Sequence, residues 1–488
     1  MQKRTGERNV LRTKGKIGML LLVLAVVLGA VSIANPDPAE GADSAVANKA
    51  IIDPYQMYTY PLMMQDLERL AAAYPDLIEL QSIGQTVFGR DIRAVKLGKG
   101  DAAILVDGAQ HAREWMGTNL ILYLIDRYAY AYEHDVNYGD YNVRDILDRC
   151  TIWFVPMVNP DGTALQQEGL EAFPEFWHAN LLGMNGNSSN FKHWKANAQG
   201  VDINRQYPAM WADIRNSPGY PKFKNFKGWE PAQTAEAASM MKLTYEIDPE
   251  IAFSYHSSGR VLYWHFNTSS EHVNRDKRLA NAISAMTGYG QVKPEKNPSG
   301  GGFTDWFIMQ FGRPGFTAEL GTYQEENELP LWTFGELWEE NKEVPLYLAA
   351  EGYRLWLERY PIEQMEEQIQ LLGEVQLYNR PSESSPVGAT LKDAKLKANA
   401  RLGQWYRVST WLGPKWIRPE PSAYLIGHTE PYEQRVKLTD KTPIYASPKA
   451  DVKLPLAELH SQEVEAIERW NDWIRIKTWL GSSWIKKE

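Results

Sequence analysis

The sequence has very little cysteine, with Cys150 the only one among 488 residues. A single thiol cannot form an internal disulfide, which excludes the disulfide frameworks of small secreted proteins. Cys150 stands directly before the apolar run Thr151-Ile-Trp-Phe-Val155. We therefore expect this thiol to be buried and chemically inert.

The chain also lacks an excess of positive charge. It has 52 Lys and Arg against 61 Asp and Glu, which gives a net charge of -9. Because proteins that bind nucleic acids need a basic face, this balance argues against a nucleic-acid partner. The 44% apolar and 23% charged residues are typical of a soluble globular protein. A chain of this length predicts two or three domains.

The first 34 residues predict a targeting segment. Basic residues between positions 3 and 16 precede an apolar run over 17–31, and residues 32–34 are small enough for cleavage. This order is typical of a secretory signal peptide. The run is also almost long enough to span a bilayer, so an uncleaved signal anchor is the alternative. Either interpretation predicts an extracellular or cell-wall-associated protein, with residues 35–57 as a linker.

Residues 58–360 predict one α/β domain. Short apolar segments alternate with amphipathic ones, a pattern that favours a mixed, mostly parallel sheet flanked by helices. The sequence Asn159-Pro-Asp-Gly162 predicts a turn, and residues 173–200 predict a long functional loop. Residues 337–360 predict one long final helix.

Residues beyond Pro361 contain a repeat. The segments Trp405–Ile417 and Trp473–Ile485 share the pattern Thr-Trp-Leu-Gly followed by Trp-Ile. Short alternating strands with turns predict two small all-β barrel modules, over 374–419 and 433–488. These repeats resemble bacterial Src-homology-3-like modules, which implies attachment to the cell wall. We expect most tryptophans of each repeat to fill its core and one or two to be exposed for a partner.

One short segment concentrates chemically active residues. The apolar run Ala102–Val106 predicts a short strand that stops at Gly108, and His111 and Glu114 follow it closely. Imidazole and carboxylate groups hold divalent ions such as zinc, and α/β sheets place their sites at the carboxyl ends of strands. His-x-x-Glu alone is also compatible with an ordinary loop.

Five motifs in one order resemble those of the zinc carboxypeptidase family. They are His111-Ala-Arg-Glu114-Trp115, Asn159-Pro-Asp-Gly162, Gly200-Val-Asp-Ile-Asn-Arg205, Tyr255-His256-Ser257 and Phe316-Thr-Ala-Glu319-Leu320. The resemblance implies an eight-stranded sheet and one zinc ion per catalytic domain, bound by His111, Glu114 and His256. Three protein ligands leave one position open for water.

The resemblance also implies roles for residues around the metal. Glu319 matches the general acid/base, and Asp202 matches a carboxylate that accepts a hydrogen bond from a zinc-bound imidazole. Asn204 and Arg205 match the pair that binds a substrate carboxylate, for which a guanidinium group is well suited. Arg113 matches a residue near the substrate, although a structural ion pair is an equal alternative.

Two positions depart from the family pattern. Where the family usually has an oxyanion-stabilising arginine after a tryptophan, this chain has Lys195, similar to the bacterial branch that cleaves γ-D-glutamyl–diamino acid bonds. The family's mobile tyrosine is expected shortly before Gly300, but only Lys296 and Asn297 occur there. Neutral Thr304 near the selectivity position does not favour basic side chains.

These observations predict a secreted zinc metallocarboxypeptidase. Its expected substrate is a peptidoglycan stem peptide, cleaved next to a carboxylate-bearing residue, and the repeats are expected to bind the cell wall. The alternative is a general carboxypeptidase that removes C-terminal residues from peptides. An inactive wall-binding protein is disfavoured because His111, Glu114, His256 and Glu319 are all present. Membrane association is expected only if the N-terminal segment is uncleaved.

Overall fold

The computed structural model of the protein describes residues 50–382, 385–420, 423–427, 429–448 and 455–487. The predicted targeting segment and most of the predicted linker lie outside these residues. Within the described ranges, no helix combines the length and apolar character needed to cross a bilayer.

Eight strands form the central sheet of the N-terminal part. They are β1 (Ile78–Gln85), β2 (Asp91–Leu97), β3 (Ala102–Gly108), β4 (Cys150–Val155), β5 (Ile251–Ser257), β6 (Val261–Tyr263), β7 (Gly290–Gln291) and β8 (Gly315–Leu320). Their spatial order is β1-β2-β4-β3-β5-β8-β6-β7. The central pairs β4–β3, β3–β5 and β5–β8 are parallel, and β6 runs antiparallel to β8. The predicted mixed, mostly parallel sheet is confirmed.

Within the described residues, ten helices accompany the sheet, and most of them complete its two hydrophobic cores. They are α1 (Tyr60–Ala73), α2 (Met116–His134), α3 (Val143–Leu147), α4 (Pro160–Glu168), α5 (Glu175–Met184), α6 (Ala235–Ile247), α7 (Val273–Thr287), α8 (Phe303–Phe311), α9 (Phe334–Asn341) and α10 (Val344–Arg359). Helices α4 and α5 instead pack in a third cluster. Alternate residues of β3 enter different cores: Ile104 and Val106 pack in one, and Leu105 packs in the other. Because both faces are covered, β3 is apolar along most of its length rather than alternating. Cys150 is buried at the start of β4, as expected, and burial raises the pKa of its thiol.

Two helical segments differ from the sequence-based expectation. Asn159 does not open an isolated turn: its side-chain oxygen accepts a hydrogen bond from the Gly162 amide at 2.9 Å and caps α4. Proline is well tolerated in the first turn of a helix, so Asn-Pro-Asp-Gly serves as a helix start. The expected long loop 173–200 contains α5.

The predicted single final helix is divided into α9 and α10. Helix α9 ends at Asn341, and α10 begins at Val344, directly before Pro345. A proline ring collides with the carbonyl group four residues earlier and supplies no amide donor. For Pro345 that carbonyl belongs to Asn341, which explains where the helix stops.

The C-terminal part consists of small antiparallel sheets. Its strands are β9 (Glu363–Leu371), β10 (Val375–Tyr378), β11 (Pro386–Leu391), β12 (Lys395–Leu402), β13 (Trp405–Thr410), β14 (Gly413–Ile417), β15 (Tyr424–Ile426), β16 (Glu430–Pro431), β17 (Arg435–Lys437), β18 (Thr442–Ile444), β19 (Ala457–Leu459), β20 (Glu463–Trp470), β21 (Trp473–Thr478) and β22 (Gly481–Lys486). Strands β9 to β15 share one sheet, and β16, β20, β21 and β22 follow one another in a second. The expected small all-β modules are therefore observed.

Each repeat buries two tryptophans and exposes a third. Trp405, Trp416, Trp473 and Trp484 are buried in apolar clusters. Trp411 and Trp479, which occupy equivalent tight turns after β13 and β21, are 66% and 67% exposed. The expectation that most of these tryptophans fill the core of each repeat is wrong, because the two module cores contain none of them. Trp405 and Trp416 instead pack against α10, and Trp473 and Trp484 pack against Leu425 of the first module.

Candidate active site

Three potential metal ligands converge at the carboxyl edge of the central sheet. His111 and Glu114 lie in the short turn that follows β3, and His256 lies near the end of the adjacent strand β5. The Nδ1 atoms of His111 and His256 each lie 2.8 Å from a different carboxylate oxygen of Glu114. The two Nδ1 atoms are 3.1 Å apart. All three side chains are buried.

Buried hydrogen bonds hold the turn after β3 in place. The Asp107 carboxylate accepts hydrogen bonds from Gln110 Nε2 at 2.7 Å and Ser254 Oγ at 2.6 Å, which links the His111 turn to β5. Burial raises the pKa of Asp107 to about 6. Asn159 Nδ2 also donates to the carbonyl oxygens of Gln110 and Ala196. The capping residue of α4 thus joins the segments that carry His111 and Lys195.

The donor set fits a divalent cation. Zinc binds imidazole nitrogen and carboxylate oxygen at about 2.0–2.2 Å, so ligands around one ion stand roughly 3.3 Å apart. The donor atoms of His111, Glu114 and His256 all lie within 4.8 Å of one another. Burial disfavours a charged imidazole, but hydrogen bonding to Glu114 and its charge outweigh burial and raise the pKa of His256 to about 9. The cluster therefore favours positive charge at its centre, as a zinc site requires.

Asp202 contacts the opposite nitrogen of one imidazole. Its Oδ1 lies 3.2 Å from His111 Nε2, so Nδ1 of this ring is left to face Glu114 and His256. Its Oδ2 lies 3.1 Å from Lys195 Nζ and 3.6 Å from Arg205 Nε. Burial alone would raise the pKa of Asp202, but the charges of Lys195 and His111 outweigh it and hold this pKa well below its usual range. The buried Asp202 carboxylate thus contacts the His111 imidazole and lies close to two cationic side chains.

Glu319 lies beside the cluster. Strands β8 and β5 pair in parallel with Glu319 directly opposite His256, so the two side chains are neighbours at the sheet edge. Glu319 lines the same cleft as His111 and Lys195. Burial, together with the negative charge of Glu114, raises the pKa of Glu319 to about 7. The Glu319 carboxylate makes no hydrogen bond to another described residue, which leaves it available to a molecule in the cleft.

The predicted substrate-binding residues divide into two groups. Asn204 and Arg205 line the cleft with Lys195. The Asn204 side-chain oxygen accepts a hydrogen bond from the Phe303 amide at 2.9 Å, which fixes the orientation of its amide. Arg113 instead donates to the His193 carbonyl oxygen at 3.2 Å and lies 3.9 Å from Glu326. Both contacts are with other parts of the protein, as expected if Arg113 forms a structural ion pair rather than a substrate contact.

The cleft has a volume of about 420 Å³. Thr304 and Thr317 form part of its lining, and their hydroxyl groups are 2.8 Å apart. Tyr289 is buried and donates a hydrogen bond to Glu340, so it does not replace the family's mobile tyrosine. Arg215 also lines the cleft and donates to the Asn297 carbonyl oxygen at 2.9 Å.

Sequence reasoning did not identify Arg215 as a cleft residue. It belongs to no motif and lies in an irregular segment after Arg205, so only the folded chain brings it to the site. The same holds for His265 and Lys293, which also line the cleft. His178 and His193 occupy none of the motifs' ligand positions, and their rings contact the carbonyl oxygens of Phe173 and Glu326.

Known proteins are similar to this region in sequence and in architecture. The zinc carboxypeptidase family profile matches residues 63–344. Gamma-D-glutamyl-L-diamino acid endopeptidase 1 of Lysinibacillus sphaericus is 32% identical over 292 residues, which cover 59% of this chain and 72% of that protein. Carboxypeptidase B of Astacus astacus is 26% identical over 273 residues, covering 52% of this chain and 82% of that protein.

A solved structure supports the fold. The thrombin-activatable fibrinolysis inhibitor superposes with a TM-score of 0.52 at 18% identity, covering 62% of this chain and 78% of that one. At this identity the likeness concerns architecture alone. The family profile spans more than half of the chain and includes the His111, Glu114, His256 and Glu319 motifs. The chain therefore belongs to the zinc carboxypeptidase family of metallopeptidases.

Proposed function

We propose that the protein is an extracellular zinc peptidase that cleaves γ-D-glutamyl–diamino acid bonds in cell-wall stem peptides. The observation that carries this proposal is the position of Glu319 beside the His111, Glu114 and His256 cluster in one cleft. A carboxylate with no partner of its own next to a metal site is the arrangement that amide hydrolysis by water requires.

Zinc held by the cluster would supply a Lewis acid that polarises the scissile carbonyl and makes a water molecule more acidic. Glu319 accepts a proton from the attacking water and returns it to the leaving amine. Asp202 positions His111 by accepting a hydrogen bond from its Nε2–H group, as carboxylates near metal-bound imidazoles commonly do.

Positive groups on the cleft wall favour the binding of a substrate that carries carboxylates. Lys195 lies in the cleft and can stabilise negative charge that develops on the carbonyl oxygen. Asn204 and Arg205 bind the carboxylate next to the scissile bond, because guanidinium can form two parallel hydrogen bonds to it. Lysine at position 195 keeps the positive charge of arginine but cannot form the two parallel hydrogen bonds of a guanidinium group.

Two features favour a cell-wall peptide over an ordinary protein C-terminus. The relative from Lysinibacillus sphaericus is named for cleavage at γ-D-glutamyl-L-diamino acid bonds, and it shares 32% of aligned residues with this chain. The cleft also carries Arg215 and Lys293 beyond Arg205. A diamino acid such as diaminopimelate has a second carboxylate, which these additional cations suit.

Product analysis tests this proposal. The zinc-loaded protein is incubated with a mixture of stem peptides and N-blocked dipeptides, and the products are identified by mass spectrometry. We expect cleavage after γ-D-glutamate, with release of the diamino acid or a peptide that begins with it. Release of C-terminal residues from the blocked dipeptides alone would instead establish the general carboxypeptidase.

We further propose that the repeat modules hold the enzyme on the cell wall. Trp411 and Trp479 support this assignment, because each module presents one exposed ring at the same tight turn. Exposed aromatic residues on rigid turns are frequent anchors at binding surfaces. An extracellular location follows from the same proposal.

The double variant Trp411→Ala, Trp479→Ala is expected to weaken binding to purified wall sacculi by at least about tenfold. Point variants suit this test because deleting the modules would uncover Trp356 and Leu357, which pack against Trp405 and Trp416. Co-sedimentation with sacculi gives the measurement. Trp332→Ala serves as the control because Trp332 is 79% exposed and lies outside the modules. Unchanged sedimentation of the double variant would eliminate these two rings as anchors.

A further inference from the structure

A second groove, separate from the catalytic cleft, lies between α5 and the segment 220–229. It has a volume of about 580 Å³ and shares no lining residue with the cleft. Pockets of this size accommodate small organic ligands or a few units of a polymer. Two of its lining residues are large exposed aromatics: Trp229 is 67% and Tyr220 is 59% exposed.

The lining of this groove is uncharged. Among the described residues that line it, there is no aspartate, glutamate, lysine, arginine or histidine. The catalytic cleft, by contrast, includes Lys195, Arg205 and Glu319. A charged ligand would lose its hydration in the groove without gaining a counter-charge. The ligand that fits is therefore neutral.

Polar side chains without partners also line the groove. The side-chain amides of Asn180 and Gln199 and the hydroxyl of Tyr220 make no hydrogen bond to another described residue. Gln233 uses its side-chain oxygen for the amides of Trp229 and Glu230, which leaves its NH₂ group unused. An acyl chain would leave all these groups unsatisfied, at a cost to binding.

The groove is preformed. The Lys222 amide donates to the Gly200 carbonyl oxygen at 3.0 Å, and the Phe223 amide donates to the Met184 carbonyl oxygen at 3.2 Å. Gly200 has φ of +72°, and a Cβ there would lie 2.9 Å from the Lys222 backbone nitrogen, so only glycine allows this approach. Backbone hydrogen bonds thus hold the walls of the groove together.

We infer that this groove binds a neutral saccharide. A pyranose ring presents a C–H face, which stacks on the electron-rich face of an aromatic ring, and a rim of hydroxyl groups. Amide side chains both donate and accept hydrogen bonds, so they match hydroxyl groups that also do both. The exposed rings of Trp229 and Tyr220 and the unpaired amides of the groove therefore match the two kinds of surface that a saccharide presents.

The position of the groove connects it with the reaction. Val201 lines the groove, and the next residue, Asp202, contacts His111 in the metal cluster. In addition, the Phe223 carbonyl oxygen accepts the amides of Lys195 and Ala196. If the proposed function holds, on which this identification of the ligand rests, the saccharide is the glycan strand to which stem peptides are attached.

Chitotetraose, a neutral oligomer of N-acetylglucosamine, tests the inference by isothermal titration calorimetry with the full chain. We expect saturable binding that Trp229→Ala weakens by at least about tenfold. Asn180→Ala, which alters an exposed amide, is expected to weaken it as well. Trp332→Ala is the matched control and should bind as the unaltered protein does.

Two results would overturn the inference: no binding of chitotetraose at millimolar concentration, or equal binding by the unaltered protein and folded Trp229→Ala and Asn180→Ala variants. Because the readout is binding without peptide, it is independent of turnover. A chain that binds chitotetraose but fails to cleave stem peptides would refute the proposed function and leave a saccharide site. A chain that cleaves stem peptides but does not bind chitotetraose would support the proposed function and refute the saccharide site.

Discussion

Glu319→Gln is expected to lower kcat by roughly 10²- to 10⁴-fold, the range associated with loss of a positioned general base. Glutamine keeps the shape of the side chain and can still accept a hydrogen bond, but it cannot take a proton from water. Zinc content should stay stoichiometric, because Glu319 lies outside the set of three converging donor atoms. Steady-state kinetics on the cleaved peptide and metal analysis of the same sample measure both quantities.

Glu295→Gln is the matched control for this variant. Glu295 also lines the cleft, but its side chain is 66% exposed, and its closest cation, Arg215, is 3.7 Å away. Exposed ion pairs of this kind contribute little, so we expect kcat within about twofold of the unaltered enzyme. If Glu319→Gln retained comparable activity, another group would have to serve as the base.

The metal ligands could be predicted from the sequence because His111 and Glu114 closely follow one apolar strand and His256 lies near the end of another. Strands β3 and β5 are adjacent and parallel, so His111 and His256 necessarily meet at one sheet edge. Glu319 was predicted from its motif, but its alignment opposite His256 depends on the pairing register of β5 and β8. A shift of one residue would send the side chain to the other face of the sheet.

Contacts made by irregular segments could not be predicted in the same way. The sharing of Asp202 Oδ2 by Lys195 and Arg205 depends on how two loops fold against each other. Asn159 was recognised as a turn residue, yet its side chain also joins the segments of His111 and Lys195. The groove lined by Trp229 combines segments that have no shared sequence pattern. Periodicity identifies helices and strands, whereas loop contacts depend on tertiary packing.

His256→Ala is expected to abolish stoichiometric zinc binding and to reduce peptidase activity to background. The variant removes the only one of the three ligands that comes from β5, so His111 and Glu114 alone remain on the turn after β3. Two protein ligands do not complete the three-ligand set of a hydrolytic zinc site. The substitution also leaves Glu114 buried without one of its two imidazole neighbours, which is costly for a carboxylate.

Thermal unfolding distinguishes loss of metal from loss of fold. A ligand that binds only the folded state stabilises it by about 2.7 kcal/mol at a hundredfold excess over Kd, so zinc should raise the Tm of the unaltered protein by several degrees. Chelation should reverse this rise, and added zinc should restore activity. In His256→Ala, zinc should leave Tm unchanged. His265→Ala, which alters a cleft histidine outside the cluster, should keep the zinc response. Stoichiometric zinc in His256→Ala would place the metal elsewhere and refute this ligand set.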